Sequence, residues 1–340
     1  MIDKISAGVY TLAGPNELYL SQEDLDPVTL GGDEIIAETV YTAISPGTEV
    51  SAYLGVEPLR SDVKMYPRVV GYCNIARIVR MGSLVEGWTI GDYFLSFQSH
   101  RTHFKCNVGD FMLKVNERQA KDAVASYLYH LGYHSLITAD LRAGHNLAVI
   151  GYGTLGYTCS VMSSISGAAT MVFTNQIEYR RLIESKGMKC FTKSNVDLDA
   201  IMSFTNGVGV DVVVNTSNTW DDWFLSLALV NTGGVIVNLG FPGRGQGLPE
   251  SNPLDPKYLY MKNVTVKYLS SMNVKGVPHE IQRFNRERNL RYIMNLIERG
   301  VINCKEILTE EISFKSLKEQ YEKYAKRDSG LFSTLVNWEK

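Results

Sequence analysis

The stretch Asn146–Gly156, read as NLAVIGYGTLG, decides the fold. The residues from Asn146 to Ile150 are mostly apolar and have the length of a buried strand. They run into Gly151-Tyr152-Gly153-Thr154-Leu155-Gly156, and a helical pattern follows from Tyr157 to Ser166. A G-x-G-x-x-G turn between a strand and a helix is built for a dinucleotide. Gly151 allows the tight turn, Gly153 lets a pyrophosphate approach the backbone, and Gly156 lets helix and strand pack closely. The open N–H groups of the helix start, around Thr154 and Leu155, face the phosphates.

Outward from that turn, the rest of the chain bounds the function class. With 340 residues it is long enough for two domains. A net charge of −2 supplies no basic field for nucleic acid or an acidic membrane. The N-terminus MIDKISAGVYTLAG has no apolar core of a signal peptide, and no run of about 18 apolar residues suggests a spanning helix. Cys73, Cys106, Cys159, Cys190 and Cys304 are scattered, with no C-x-x-C, so neither a disulfide framework nor a thiolate metal cluster is indicated. A reducing cytoplasm is the expected compartment.

Residues 1 to about 125 carry short β-rich runs. Among them are Glu34–Thr42, the glycine-broken segment from Pro67 to Arg80, and Phe111–Val115. Ala43–Glu49, with its Pro46-Gly47 pair, reads as a loop. Long amphipathic helices are lacking, so a small β-barrel-like domain is expected. After Asn116 the pattern changes. A helix is expected over Ala120–Leu136. Strands then alternate with helices: Asn146–Ile150, Thr170–Thr174, the helix Ile177–Lys186, Asp211–Asn215, the helix Trp220–Val230, and Val235–Leu239. That alternation predicts a parallel, doubly wound sheet, with Val264–Leu269 as its last strand. Helices over Asn289–Arg299 and Phe314–Lys326 and a strand near Phe332–Asn337 complete the chain.

The order of these motifs resembles the medium-chain dehydrogenase/reductase family, the alcohol-dehydrogenase-like proteins, over nearly the whole length. PRVVGYCNIARIV followed by Gly91-Asp92 resembles the family's P-x-x-x-G-H-E-x-x-G-x-V…G-D block. Leu131–Ala139 resembles its helix before the nucleotide turn. The resemblance implies an α/β fold: a GroES-like β-barrel domain, residues 1–125 and 273–340, around a Rossmann domain, residues 126–272. The loop ISPGTE and the block GYCNIARIV resemble the branch containing bacteriochlorophyllide a dehydrogenase and its bi-domain oxidoreductase relatives.

The departures from the family pattern bear on chemistry. Where zinc-dependent members carry a Cys, the His of G-H-E and a third ligand, this sequence has Ser45, Tyr72 and about Ser126. Neutral hydroxyls are poor Zn²⁺ ligands beside imidazole and thiolate. A zinc-free member is expected, with Cys73 as packing. A carbonyl oxygen must then be polarised by hydrogen bonds, and Tyr72, Ser45 and Thr48 are the candidates. Tyr72 either donates to the developing alkoxide or fills the space of the lost metal. Glu49 reads equally as a proton relay or a surface charge. His100 and His103 read as loop or surface residues, and His130 and His134 share one helix face.

The end of the second Rossmann strand holds Asn175 in place of an acid, and Arg180 and Arg181 follow. A neutral residue there removes repulsion against a 2′-phosphate, so NADP(H) is expected over NAD(H). By resemblance, Thr216 and Ser217, and Gly240 and Phe241, end strands near the nicotinamide. The Gly- and Pro-rich stretch Phe241–Pro256 reads as a lid or an oligomer contact. Reversible hydride transfer between a hydroxyl carbon and a ketone or aldehyde is the leading expectation. Enone or quinone C=C reduction and a catalytically silent dinucleotide-binding protein are the alternatives. A homodimer is a family-level expectation.

Overall fold

The computed structural model describes residues 4–57, 64–269, 278, 281–326, 330 and 332–340. The chain divides into two units, Met1–Tyr127 with Leu290–Lys340, and Leu128–Asn289. The boundary expected at 272/273 begins on residues outside those described, as does His279.

In the first unit, β1 (Ile5–Leu12) pairs antiparallel with β2 (Leu18–Leu25). The long β3 (Glu34–Ala43) leads into α1 (Pro46–Tyr53). Next come β4 (Arg68–Val69), which joins β1, then β5 (Cys73–Met81), β6 (Tyr93–Ser96), β7 (His103–Asn107) and β8 (Leu113–Val115). Ile35 and Ala37 of β3 bury against Ala76, Ile78, Phe94 and Phe104, which gives the sheet its core. The Pro-Gly loop expected after Ala43 is instead the first turn of α1. Proline is preorganised for the first helical position, where its missing N–H costs nothing.

The single helix expected over Ala120–Leu136 is two, α2 (Ala120–Ala123) and α3 (Ser126–Thr138). The Ser126 hydroxyl donates to the Ala123 carbonyl at 2.5 Å, which competes with a continuous helix. The second unit then alternates: β9 (Asn146–Ile150), α4 (Thr154–Ile165), β10 (Ala169–Phe173), α5 (Arg180–Ser185), β11 (Lys189–Phe191), α6 (Leu198–Phe204), β12 (Val210–Asn215), α7 (Trp220–Leu229), β13 (Val230–Asn238), α8 (Pro256–Leu259) and β14 (Thr265–Tyr268). Every pairing is parallel, in the order β11-β10-β9-β12-β13-β14. Strand order reverses between β9 and β12, the switch point of a doubly wound sheet. The short elements β11 and α6 were not evident in the sequence pattern. The stretch after Phe241 is fastened to α7. The indoles of Trp220 and Trp223 donate to the carbonyls of Gly247 and Pro253, both at 2.8 Å.

The chain continues through α9 (Arg286–Glu298), β15 (Leu308–Ser313), α10 (Leu317–Ala325) and β16 (Ser333–Asn337). β16 pairs antiparallel with β3, so the sheet of the first unit runs β15-β16-β3-β5-β6-β8, with β7 also on β3. α10 covers α1: Leu317 and Tyr321 share a core with Ile44, Val50, Tyr53, Val336 and Trp338. Burying Leu317 and Val336 contributes about 1.5–3 kcal/mol each, which helps offset the polar groups buried on the same face. Among the described residues, no helix is long and apolar enough to cross a membrane.

Candidate active site

The sequence-predicted residues fall into two groups, one in each unit. In the second unit, the strand β9 delivers the glycine turn and α4 receives it. Gly151 has φ +91°, and a Cβ there would lie 2.6 Å from Thr216 Oγ1. A Cβ on Gly156 would lie 2.0 Å from the Gly151 carbonyl oxygen, so helix and turn touch backbone to backbone. Gly153 is different: a Cβ there would meet nothing within 4 Å. Gly153 is also the N-cap of α4 and has no side chain to cap it. The turn thus combines tight packing at its two ends with open space at its middle glycine, which fits a pyrophosphate on the helix start.

Around the turn, Thr216 Oγ1 donates to the Ile150 carbonyl at 2.8 Å, bolting β12 to the end of β9. Gly240 lies against Ser217, where a Cβ would come within 2.2 Å of its carbonyl oxygen. The Phe241 N–H donates to Asn218 Oδ1 at 2.8 Å. Asn175 is exposed, and its Oδ1 accepts the Ser194 N–H at 3.1 Å. Arg180 is turned toward the Cys190 carbonyl (3.2 Å) and Glu184 (3.3 Å), whereas Arg181 is exposed. Sequence reading passed over the buried pair Asn215 and Asn238, joined at 3.2 Å at the ends of β12 and β13. Two asparagines inside apolar strands are the signal that was available.

In the first unit, Ser45, Thr48 and Tyr72 come together although 27 residues separate Ser45 from Tyr72. The Tyr72 hydroxyl donates to Ser45 Oγ at 2.5 Å, and the Thr48 N–H donates to the Ser45 carbonyl at 3.2 Å in the same turn. Burial is the main cause that raises the phenol far above its ordinary pKa, with the neighbouring Cys73 adding to it. Tyr72 therefore keeps its proton and acts as a donor. Its ring meets Tyr127 edge-on at 5.6 Å, and Tyr127 meets Phe97 at 4.8 Å, forming an aromatic wall. Cys73 is fully buried, and burial pushes its thiol well up, as befits a packing residue.

Two expectations fail here. Glu49 is not a surface charge, and His100, although in the loop before β7, is not at the surface: they are 3% and 0% exposed. His100 Nε2 lies 2.9 Å from Glu49 Oε2, and Tyr321 of α10 donates to the same oxygen. Glu49 Oε1 accepts the Ser45 N–H at 2.7 Å. The physical reason is a long-range one: β3, the segment before β7, and α10 all converge on α1, which no local spacing announces. His103 is half-buried, and burial lowers its pKa. In the second unit, the rings of His130 and His134 stack at 5.7 Å.

The hydroxyls at the family's metal positions do not fit a zinc site. Ser45 Oγ accepts from Tyr72, Ser126 Oγ is committed to a backbone carbonyl, and Tyr72 holds its proton. None is a thiolate or an imidazole.

Comparison with known proteins agrees with the two-part architecture. A family model described as zinc-binding dehydrogenase matches residues 155–286. An L-threonine 3-dehydrogenase of Caldanaerobacter subterraneus subsp. tengcongensis is 24% identical over 73% of this chain and 81% of its own. An NADP-dependent isopropanol dehydrogenase of Clostridium beijerinckii is 25% identical over 57% of this chain and 69% of its own. The crystal structure of 2R,3R-butanediol dehydrogenase from Bacillus subtilis superposes with a TM-score of 0.80 at 15% identity, covering 98% of this chain and 100% of that one. The chain has the fold of the medium-chain dehydrogenases/reductases. These relatives and that structural neighbour are dehydrogenases. The family model begins within the glycine turn, and the first unit carries the hydroxyls of Ser45 and Tyr72.

Proposed function

We propose that this chain is a zinc-independent oxidoreductase that interconverts a hydroxyl carbon and a ketone or aldehyde, with NADP(H) preferred over NAD(H). The observation that carries the reading is the Tyr72 hydroxyl bonded at 2.5 Å to Ser45 Oγ, at the positions where the family resemblance expects metal ligands. A bound nicotinamide dinucleotide supplies the hydride chemistry. The turn Gly151–Gly156 holds its phosphates, and Asn175 leaves room for a 2′-phosphate that an acid would repel. Tyr72 holds a proton at its phenol oxygen and donates it toward the substrate oxygen. Ser45 and Thr48 orient that phenol. An alkoxide is a stronger base than even a strongly raised phenol, so the proton moves downhill as negative charge develops on the substrate oxygen. The aromatic wall of Tyr127 and Phe97 favours a substrate with an apolar flank. A homodimer is in keeping with β14 as an edge strand of its sheet among the described residues.

A panel of ketones and enones with NADPH and NADH tests the reading. Ketone reduction that falls about a hundredfold in Tyr72→Phe, the size of one lost oxyanion donor, is expected. Turnover of enones alone, or tighter binding of NADH than NADPH, would overturn it. So would one zinc per chain in the purified protein.

A further inference from the structure

Beneath Ser45 lies a polar assembly that the hydride-transfer reading does not itself use. Glu49 sits in the first turns of α1, four residues after the N-cap Ser45. A capping box places its acid three residues after the cap, where the serine oxygen takes a helix N–H and the acid takes the cap N–H. Here only half of that exchange is present. Glu49 Oε1 accepts the Ser45 N–H, but the Ser45 side chain caps nothing in α1 and instead accepts from Tyr72.

The other oxygen of Glu49 is served by His100 and Tyr321. A carboxylate has no proton to give, so His100 carries its hydrogen on Nε2. His100 Nδ1 then accepts from Thr42 Oγ1 at 2.7 Å, and Thr42 Oγ1 accepts from Trp338 Nε1 at 2.9 Å. Donors and acceptors match along the chain Trp338, Thr42, His100, Glu49. The His100 ring also stacks on Trp338, 6.4 Å between centroids and 19° between planes. Gly71, next to Tyr72, has φ +89°, and a Cβ there would fall 2.6 Å from the His100 ring. An apolar filler would be cheaper than a buried carboxylate, imidazole and phenol. What this assembly provides and a filler would not is a Ser45 backbone fixed from below, with its hydroxyl released from capping.

We propose that Glu49, His100 and Tyr321 are positioning residues: a buried triad that holds Ser45 so that its hydroxyl orients the Tyr72 proton donor. The proposal rests on the Tyr72 donor role above, and its test separates the two. Tyr321→Phe removes one donor to Glu49 and keeps the ring. Amide exchange of the segment 44–53 is measured together with reduction of acetophenone and acetoin by NADPH, in wild type, Tyr321→Phe, Tyr72→Phe and the double variant. Exchange is expected to rise about tenfold in Tyr321→Phe, the effect of one lost hydrogen bond to a charged group. kcat is expected to fall by a similar factor with the KM for NADPH unchanged, and by less than twofold further when Tyr72 is already Phe.

Unchanged exchange, or the same loss of kcat in both backgrounds, overturns the triad. A Tyr72→Phe variant with full activity overturns the donor role instead. If Tyr321→Phe does not fold, Glu49→Gln is read in the same cycle. If wild type reduces neither ketone, hydride transfer to ketones fails, and the exchange result alone decides the triad.

Discussion

The nucleotide turn and the Ser45–Tyr72 pair are both places where the backbone is held tightly, yet they are held by different means. Gly151–Gly156 is held by its own chain: the clash that forbids a side chain at Gly156 is with Gly151, five residues away. Ser45 and its partner Tyr72 are held through Glu49, which is itself bonded to Tyr321, 272 positions further along the chain. The first is a local geometry that a sequence motif can encode. The second is a property of the folded core. A substitution in the first acts at once on one turn, whereas a substitution in the second spreads along a network.

The sharpest way to break the comparison is Gly156→Val. Its Cβ alone would stand 2.0 Å from a backbone oxygen that cannot rotate away. Overpacking of this kind costs about 3 kcal/mol or more. The expected outcome is a thermal transition lowered by many degrees together with loss of NADPH binding; a normal Tm would show that the turn relaxes. Gly71→Ala is next, and it probes the other region. It combines a left-handed backbone, a strain of about 1–2 kcal/mol, with a methyl group driven into the His100 ring. A loss of about 2–4 kcal/mol in urea unfolding is expected. A loss below 1 kcal/mol would mean that the imidazole shifts freely and that the network is not rigid.

Most of the architecture was legible in the sequence because it follows from periodicity and turn chemistry. NLAVI into GYGTLG, and the alternation after it, could hardly fold otherwise. The failures share one cause. Pro46-Gly47 reads as a loop until Glu49 and the cover of α10 show why the chain helices there. His100, in SHRTHFKC, looks like a polar loop residue. It is buried because Thr42 precedes it by 58 residues and Trp338 follows it much later. The candidate donors Ser45 and Tyr72 were reachable by family resemblance. The groups beneath them were not, since resemblance pointed to metal ligands and these are not ligands.

Buried histidines extend the contrast. His100 has a carboxylate partner, whereas burial, aided by neighbouring His134 and Arg286, lowers His130 to about 3. An unfolded histidine titrates near 6.5. Between pH 6.5 and about 3 the unfolded state therefore binds a proton that folded His130 refuses, so stability falls as pH falls through that window and is flat above it. From pH 7 to 5 the contribution is about 2 kcal/mol. His130→Leu is expected to flatten the pH dependence of the urea midpoint by that amount relative to wild type. An unchanged slope would mean that His130 takes up its proton without unfolding.

The smallest expected effect is the most discriminating for the nucleotide turn. Gly153→Ala places a methyl group in open space, since nothing lies within 4 Å of the Cβ position. Its φ is negative, so the backbone accepts alanine without strain. The folded state should thus tolerate the change, with Tm within a few degrees of wild type. A dinucleotide would not, because the methyl group stands where a pyrophosphate approaches the backbone. Fluorescence titration with NADPH should show affinity reduced about tenfold, equivalent to about 1.4 kcal/mol. Gly156 and Gly153 stand three residues apart in one motif and would then fail in opposite ways, one in folding and the other in binding. Unchanged NADPH affinity in Gly153→Ala would instead place the phosphates away from this glycine.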